Sequence, residues 1–375
     1  MGPWFSASAV IPQLRAEWDL SDSAAAWMTI AVQLGFVVGA LVSSIFNISD
    51  VVHPARVMAV GALGAALANL FLASVSSAGP AILLRGLTGA FLAGVYPPAL
   101  KLMSTWFRRR RGLALGTLVG ALTLGSASPH LVNGLGGLEW RTVVYVTSTM
   151  TLVGGAVAAT VREGPYPFSR AVFDPRQIRS VMSNRAVRLV SFGYFGHMWE
   201  LYAMWAWFVV FFNDVQSRGE RGADTDAAYV TFAVIGIGAL GCYVGGLLGD
   251  RLGRARATTV MMLTSAACAL VIGFATDPLL AALIGLVWGF SVVGDSAQFS
   301  AAVTEAADQA YVGTALTLQL ALGFTLTVAT IWLVPLLENA VGWRWTFAFL
   351  APRPLLGALA MQRVGRRAPV PAPVS

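Results

Sequence analysis

The sequence predicts an all-α polytopic membrane protein, built as two six-helix bundles related by pseudo-two-fold symmetry, with the first span truncated in its N-terminal half. Three observations lead there. Hydrophobic residues make up 57% of the 375-residue chain and charged residues 11%, against roughly a quarter charged in soluble domains. Apolar runs of about 20 residues, the length needed to cross the hydrocarbon of a bilayer, recur along the chain. Short patterns in the first half return about 200 residues later.

The spans can be taken in order. A short apolar piece, Trp4 to Ile11, is followed by eleven full-length runs: Ala24–Phe46, Val57–Val75, Ala81–Met103, Leu113–Leu135, Thr142–Val161, Val187–Phe212, Tyr229–Gly249, Thr258–Phe274, Leu279–Val303, Val312–Leu336 and Trp345–Met361. Counting the short piece as span 1 gives twelve. Pro97 and Pro98 inside span 4 predict a kink rather than a break, since membrane helices tolerate proline.

Arginine placement sets the direction. With a cytoplasmic N-terminus, the cytoplasmic loops hold Arg56, Arg108 to Arg111, Arg162, Arg170, Arg176, Arg179, Arg185, Arg188, Arg251, Arg254 and Arg256, and the tail adds Arg363, Arg366 and Arg367. The outer loops hold Arg15, Arg141, Arg218, Arg221 and Arg344. Positive charge accumulates on the cytoplasmic side, so both termini are expected there, in the cytoplasmic (inner) membrane. The longest polar connection, residues 162–186, reads as a cytoplasmic linker. It divides an N-terminal bundle (1–161) from a C-terminal one (187–362), with a tail at 363–375.

The most specific stretch is GGLLGDRLGRAR, Gly245 to Arg256, between spans 8 and 9. Its glycines let helix ends approach closely, and Asp250 can accept hydrogen bonds from a facing helix N-terminus or an arginine. The stretch resembles the signature loop of the major facilitator superfamily, G-x-L-x-D-R-x-G-R, through Gly246, Leu248, Asp250, Arg251, Gly253 and Arg254. Two hundred residues earlier the pattern survives only as Asp50 and Arg56, with Phe46, Val51 and His53 at its other positions. Glu139-Trp140-Arg141 and Gly342-Trp343-Arg344 open spans 6 and 12 in the same way. Trp207-Phe208 of span 7 aligns with Trp4-Phe5, so span 1 starts halfway across the membrane. The expectation is a native start about 15 to 25 residues upstream, completing a span of ordinary length.

Other classes have no visible chemistry. Cys242 and Cys268 lie in apolar segments and read as small hydrophobes. No phosphate loop, nucleophile elbow or metal-spaced cluster occurs, so no enzyme, cofactor or metal is expected, and the net charge of +7 does not imply nucleic acid.

Ionisable residues inside spans usually face the bundle interior. In span 7, Tyr194, His197, Glu200, Met204 and Trp207 fall at helical spacings along one face. Glu200, about 20 Å from the cytoplasmic start, is a candidate proton carrier with His197 as its partner, against a structural hydrogen bond to a neighbouring span. Trp205 and Trp207 are candidate cavity walls. Asp295 and Gln298 in span 10 form a second candidate for coupling, or a gate-stabilising bond. Arg85, in RGLTG of span 4, resembles a superfamily motif of arginine and a glycine four residues on, here Gly89, and the resemblance implies proton coupling. The alternative is a hydrogen bond to helix-end carbonyls. Lys101, the sole lysine, either binds an anion or snorkels to the interface. His130 lies in a glycine-rich part of span 5, with Gly116, Gly120 and Gly125. That part resembles the superfamily's antiporter pattern but carries Ser128-Pro129 and Asn133-Gly134 where the pattern has Gly-Pro and Gly-Gly. Arg353 in span 12 has no evident partner.

The resemblance implies a monomeric secondary transporter working by alternating access in the lipid bilayer. Interior cations (Arg85, Lys101, His130) fall in the first half and acids (Glu200, Asp295) in the second, which points to proton-coupled uptake of a small anion. The rivals are a proton-driven exporter of hydrophobic or cationic compounds and, from another class, a membrane sensor that kept the fold without transport.

Overall fold

The computed structural model of the chain describes residues 1–46, 48, 52–107, 110–135, 139–166, 175–218, 226–308 and 312–365, and these are almost wholly helical. The first span is α1 (Gly2–Phe5), a 3-10 turn (Ser8–Val10) and α2 (Ile11–Trp18). Spans 2 and 3 are α3 (Asp22–Ile45) and α4 (Pro54–Phe71), and span 4 is α5 (Ala78–Leu92) plus α6 (Tyr96–Trp106). Spans 5 and 6 are α7 (Arg111–Gly134) and α8 (Trp140–Ala159). After α9 (Ile178–Ser183), span 7 is α10 (Arg185–Arg218) and span 8 is α11 (Ala227–Gly236) with α12 (Gly238–Leu252). Then come α13 (Arg254–Val271), α14 (Pro278–Gly294) with α15 (Ser296–Ala306), and α16 (Val312–Val341) as spans 9 to 11. Span 12 is α17 (Trp343–Thr346) and α18 (Pro352–Gly365).

Among the described residues, nine helical segments are long and apolar enough to cross a membrane. The 34-residue α10 is not one of them, although it is buried along most of its length. His197, Glu200 and its tryptophans and tyrosines lower its hydropathy, and neighbouring helices rather than lipid cover it.

The repeat extends to local detail. The 3-10 turn Leu72–Ser74 after α4 reappears as Ile272–Phe274 after α13. The break between α5 and α6 reappears, 200 residues on, as the break at Asp295 between α14 and α15. Span 4 is therefore broken, which corrects the kink expected from Pro97 and Pro98. Neither proline has an N–H to give the preceding turn, so the first helix ends at Leu92 and the prolines occupy the first turn of α6, where a missing donor costs nothing. Each half also has a backbone-to-backbone seam at matching glycines. A Cβ at Gly89 would lie 2.0 Å from the Val32 carbonyl oxygen, and one at Gly289 would lie 1.7 Å from that of Val234. Only glycine lets these helices meet so closely.

The two halves meet along two seams, α3 against α16 and α7 against α11 and α12. The second is tight: a Cβ at Gly116 would sit 2.5 Å from the Cys242 carbonyl oxygen. In the first, Phe36 and Phe324 face each other with ring centroids 4.5 Å apart. One continuous apolar core runs through both halves, with α10 at its centre.

Candidate functional site

Along α10 the chain buries an acid, an imidazole and two phenols. Glu200 Oε1 accepts a hydrogen bond from Trp288 Nε1 at 2.7 Å. His197 Nδ1 lies 2.8 Å from Asp295 Oδ1, with both side chains buried. The expected pairing of Glu200 with His197 is thus replaced by two cross-helix pairs. Three residues apart on α10, the two side chains diverge by about 60° around the helix, and each finds its own partner on span 10. Tyr194 and Phe299 close over His197, with ring centroids 6.0 and 5.5 Å away.

The first half has its own buried knot, on a cation. Arg85 is fully buried. Its Nε donates to the Met28 carbonyl at 3.1 Å, its Nη1 to Pro3 O at 2.5 Å and Ser6 Oγ at 3.1 Å, and its Nη2 to Trp4 O. Nη1 also reaches Asn69 Oδ1 at 3.3 Å. Asn69 in turn donates to Val144 O, Thr147 Oγ1 and Ser148 Oγ on α8. Helix α1 stops at Phe5, which leaves the Pro3 and Trp4 carbonyls without helical donors, and the guanidinium supplies them. Of the two roles open to Arg85 in the sequence, this geometry is that of the carbonyl-capping one.

At the end of α12, Asp250 accepts from the backbone N–H groups of Gly112 and Leu113 at 3.2 and 3.0 Å, in the first turn of α7. Arg254 Nη1 donates to Asp250 Oδ1 at 3.0 Å, and Arg254 Nη2 pairs with Glu305 at 3.1 Å. A carboxylate at a helix N-terminus is stabilised by the helix dipole and by charge-assisted hydrogen bonds, so Asp250 latches the two halves together. Gly253, at φ +87°, turns the chain between α12 and α13 in a conformation that suits glycine. Gly246 lets α12 approach the start of α7, since a Cβ there would meet Gly112 O at 2.8 Å. Arg251 and Arg56 are exposed, and Asp50 lies outside the described residues.

Gln298, grouped with Asp295 in the sequence, belongs to this latch: its Oε1 accepts from Arg254 Nη1 at 2.7 Å. One turn of α15 separates the two, because the Gln298 N–H donates to the Asp295 carbonyl at 2.9 Å. Lys101 is half-buried on α6. His130 is fully buried on α7, with neither ring nitrogen bonded among the described residues.

At the centre the sequence reading missed most of what converges. Six aromatic rings meet, three from each half. Trp4 packs on Phe36 (5.0 Å), Tyr202 (5.7 Å) and Phe324 (5.5 Å). Phe5 packs on Trp205 (5.6 Å), and Tyr202 on Trp205 (5.8 Å) and Phe324 (5.3 Å). Trp207 is elsewhere. Its Nε1 donates to the Ile331 carbonyl at 3.0 Å, which fixes α10 against α16, so of the two tryptophans considered as cavity walls only Trp205 joins the cluster. Gln33 and Gln319, buried in α3 and α16, are also absent from the sequence reading. The signal that could have found them is an uncompensated amide inside an apolar span. Arg353 lies over the ring of Trp199, 5.0 Å from its centroid.

Known proteins add the following. The family model described as Major Facilitator Superfamily matches residues 1–330. The chain is 32% identical to the puromycin resistance protein pur8 of Streptomyces alboniger over 148 residues, 38% of this chain and 29% of that protein. It is 25% identical to an uncharacterized transporter of Saccharomyces cerevisiae over 47% of this chain and 27% of the relative. It is 30% identical to a putative uncharacterized transporter of Escherichia coli K12 over 39% and 37%, respectively. Each match thus covers well under half of the relative's length.

Proposed function

The chain belongs to the major facilitator superfamily, and from that membership we propose that it is a proton-driven secondary transporter that exports hydrophobic aromatic compounds across the cytoplasmic membrane by alternating access. The observation that carries this reading is the six-ring cluster, to which each half contributes three rings. A compound held there touches both bundles, so its binding is coupled to their rocking. Arg85 favours export over anion uptake: each of its guanidinium nitrogens already donates within the first half, so the guanidinium is not open to an anion. The likeness to a puromycin resistance protein points the same way.

Coupling resides in spans 7 and 10, where Glu200 and the His197–Asp295 pair sit about one helical turn apart. A proton arriving there changes charge beside the span-10 break, one turn from Gln298 and the Asp250–Arg254 latch. Proteoliposomes with an imposed pH gradient test the reading. The expected result is movement of hydrophobic aromatic compounds against their gradient, collapsed by a protonophore. Gradient-driven movement of small anions, with aromatic compounds ignored, would overturn it.

A further inference from the structure

We propose that the central cluster binds a neutral, planar aromatic compound bearing hydrogen-bond acceptors, oriented by the indole N–H groups of Trp4 and Trp205 and by the amide of Gln33. The inference rests on the reading of this cluster as the site of the transported compound, and it narrows that compound's chemistry.

The rings leave hydrogen-bonding capacity unused. Trp4 and Trp205 are 2% and 1% exposed, and neither indole nitrogen has an acceptor among the described residues. Buried polar groups are hydrogen-bonded as a rule, and exceptions call for an explanation. If these side chains served packing alone, an apolar ring would do so without a donor to satisfy. Trp288 and Trp207 show that this fold provides acceptors for indoles elsewhere, at Glu200 and at the Ile331 carbonyl. Gln33 makes the same point with an amide. It is fully buried, one turn from Phe36 on the same face of α3, and both its Oε1 and its Nε2 lack partners among the described residues.

Charge narrows the ligand further. The neighbouring ionic groups are engaged: Glu200 by Trp288, Asp295 by His197, and Arg85 by carbonyl oxygens of α1 and α3. The six rings and Gln33 are themselves uncharged, so an ionic ligand among them would give up its hydration for neutral neighbours, which is strongly unfavourable. A neutral compound avoids that. Rings of the two halves now touch one another, with centroids 4.5 to 6.1 Å apart, and once the halves part the compound's flat faces take the place of these contacts, a geometry aromatic pairs favour. Its carbonyl or ether oxygens accept from the two indoles, and these bonds form as the halves part to admit it.

The test uses the full chain in lipid nanodiscs and equilibrium dialysis of three probes, with empty discs subtracted. The probes are flavone (neutral, with carbonyl and ether acceptors), 2-phenylnaphthalene (similar shape, no acceptor) and tetraphenylphosphonium (a cation). Flavone should bind at least ten-fold more tightly than the other two. Trp4→Phe and Trp205→Phe should each weaken flavone about five-fold, the worth of one neutral hydrogen bond, and leave 2-phenylnaphthalene unchanged. Gln33→Leu should weaken flavone by a similar factor. Trp199→Phe is the control: that indole also lacks an acceptor, but it packs on Phe349 away from the cluster. Should Trp4→Phe fail to assemble, Trp205→Phe on α10 carries the same readout. Tetraphenylphosphonium binding as tightly as flavone would overturn the proposal, as would flavone binding that neither indole variant weakens. Flavone bound in the expected pattern but not moved under a pH gradient would sink the transporter reading and leave this one standing. Gradient-driven transport of other compounds without flavone binding would do the reverse.

Discussion

The two halves place a buried polar knot at matching positions, and build it from opposite chemistry. Arg85 of RGLTG in span 4 corresponds to Gly285 of GLVWG in span 10, Thr88 to Trp288, and Gly89 to Gly289. In the first half the arginine fills the position and donates to backbone carbonyls of α1 and α3. In the second half the position is vacated for Phe208, whose ring would lie 2.7 Å from a Cβ at Gly285. The polar role moves to Trp288, which holds Glu200, while Asp295 holds His197. A guanidinium stays charged at any physiological pH, so the first knot is a permanent strut. In the proposed mechanism a proton arrives at the second, so that one changes state. Duplication supplied the frame twice, and side-chain chemistry made one copy static and the other responsive.

The sharpest way to break this comparison is to remove the strut. Arg85→Ala leaves the Trp4 carbonyl without the guanidinium donor, removes one donor each from the Pro3 and Met28 carbonyls and opens a cavity, and should cost roughly 3–5 kcal/mol, seen as a large drop in thermal unfolding temperature in detergent. Arg85→Lys should recover only part of it, because an ammonium cannot reproduce the planar spread of donors. Wild-type stability in Arg85→Ala would show that the arginine is no strut.

The responsive knot should behave oppositely. In Glu200→Gln the amide oxygen still accepts from Trp288, so unfolding temperature should hardly move, while proton-driven accumulation falls at least ten-fold and binding persists. Unchanged accumulation would remove Glu200 from coupling. The latch is a smaller lever: Asp250→Asn weakens charge-assisted bonds worth about 1–3 kcal/mol and should slow turnover several-fold with little change in affinity. A mutant defective in affinity alone would contradict its assignment as a latch.

The smallest effect concerns the end of the bundle away from the Asp250 latch. There Glu17 accepts from Trp140 Nε1 and from Arg141 Nη2, the latter at 2.7 Å. The Arg141 and Trp140 hydrogen bonds hold its carboxyl below the usual glutamate range. Its contribution is therefore present above the ordinary glutamate value and fades as pH falls through the lowered one. Acidification should lower the protection factors (exchange relative to the intrinsic rate at each pH) of amides at the start of α8 in the wild type more than in Glu17→Gln. Equal pH dependence in the two would remove this clasp from the account.

How much is legible in the amino-acid sequence follows from the range of the forces involved. The membrane class, the spans and the doubled architecture are readable because hydrophobicity and arginine placement act on whole segments and need no knowledge of neighbours. Asp250 is readable too, since a carboxylate next to glycines and an arginine at a helix end has few competing roles. Partners are not. Glu200 and His197 share a face of one helix, and sequence spacing pairs them. Only packing against span 10 shows that each points to a different residue.

What the sequence determined by itself is the solvent in which this chain folds, its repeat, and the helices that carry its ionisable residues. The tertiary structure decided that Arg85 is spent on carbonyls, that Gln298 serves the latch, and that Trp4, Phe36 and Phe324 meet Tyr202 at the centre. The reason is physical. Hydrophobic burial is non-directional and adds up along a segment, so it leaves a trace in composition and period. Hydrogen bonds and ring contacts depend on ångström-scale geometry between residues far apart in the chain, and no local pattern records which two will meet.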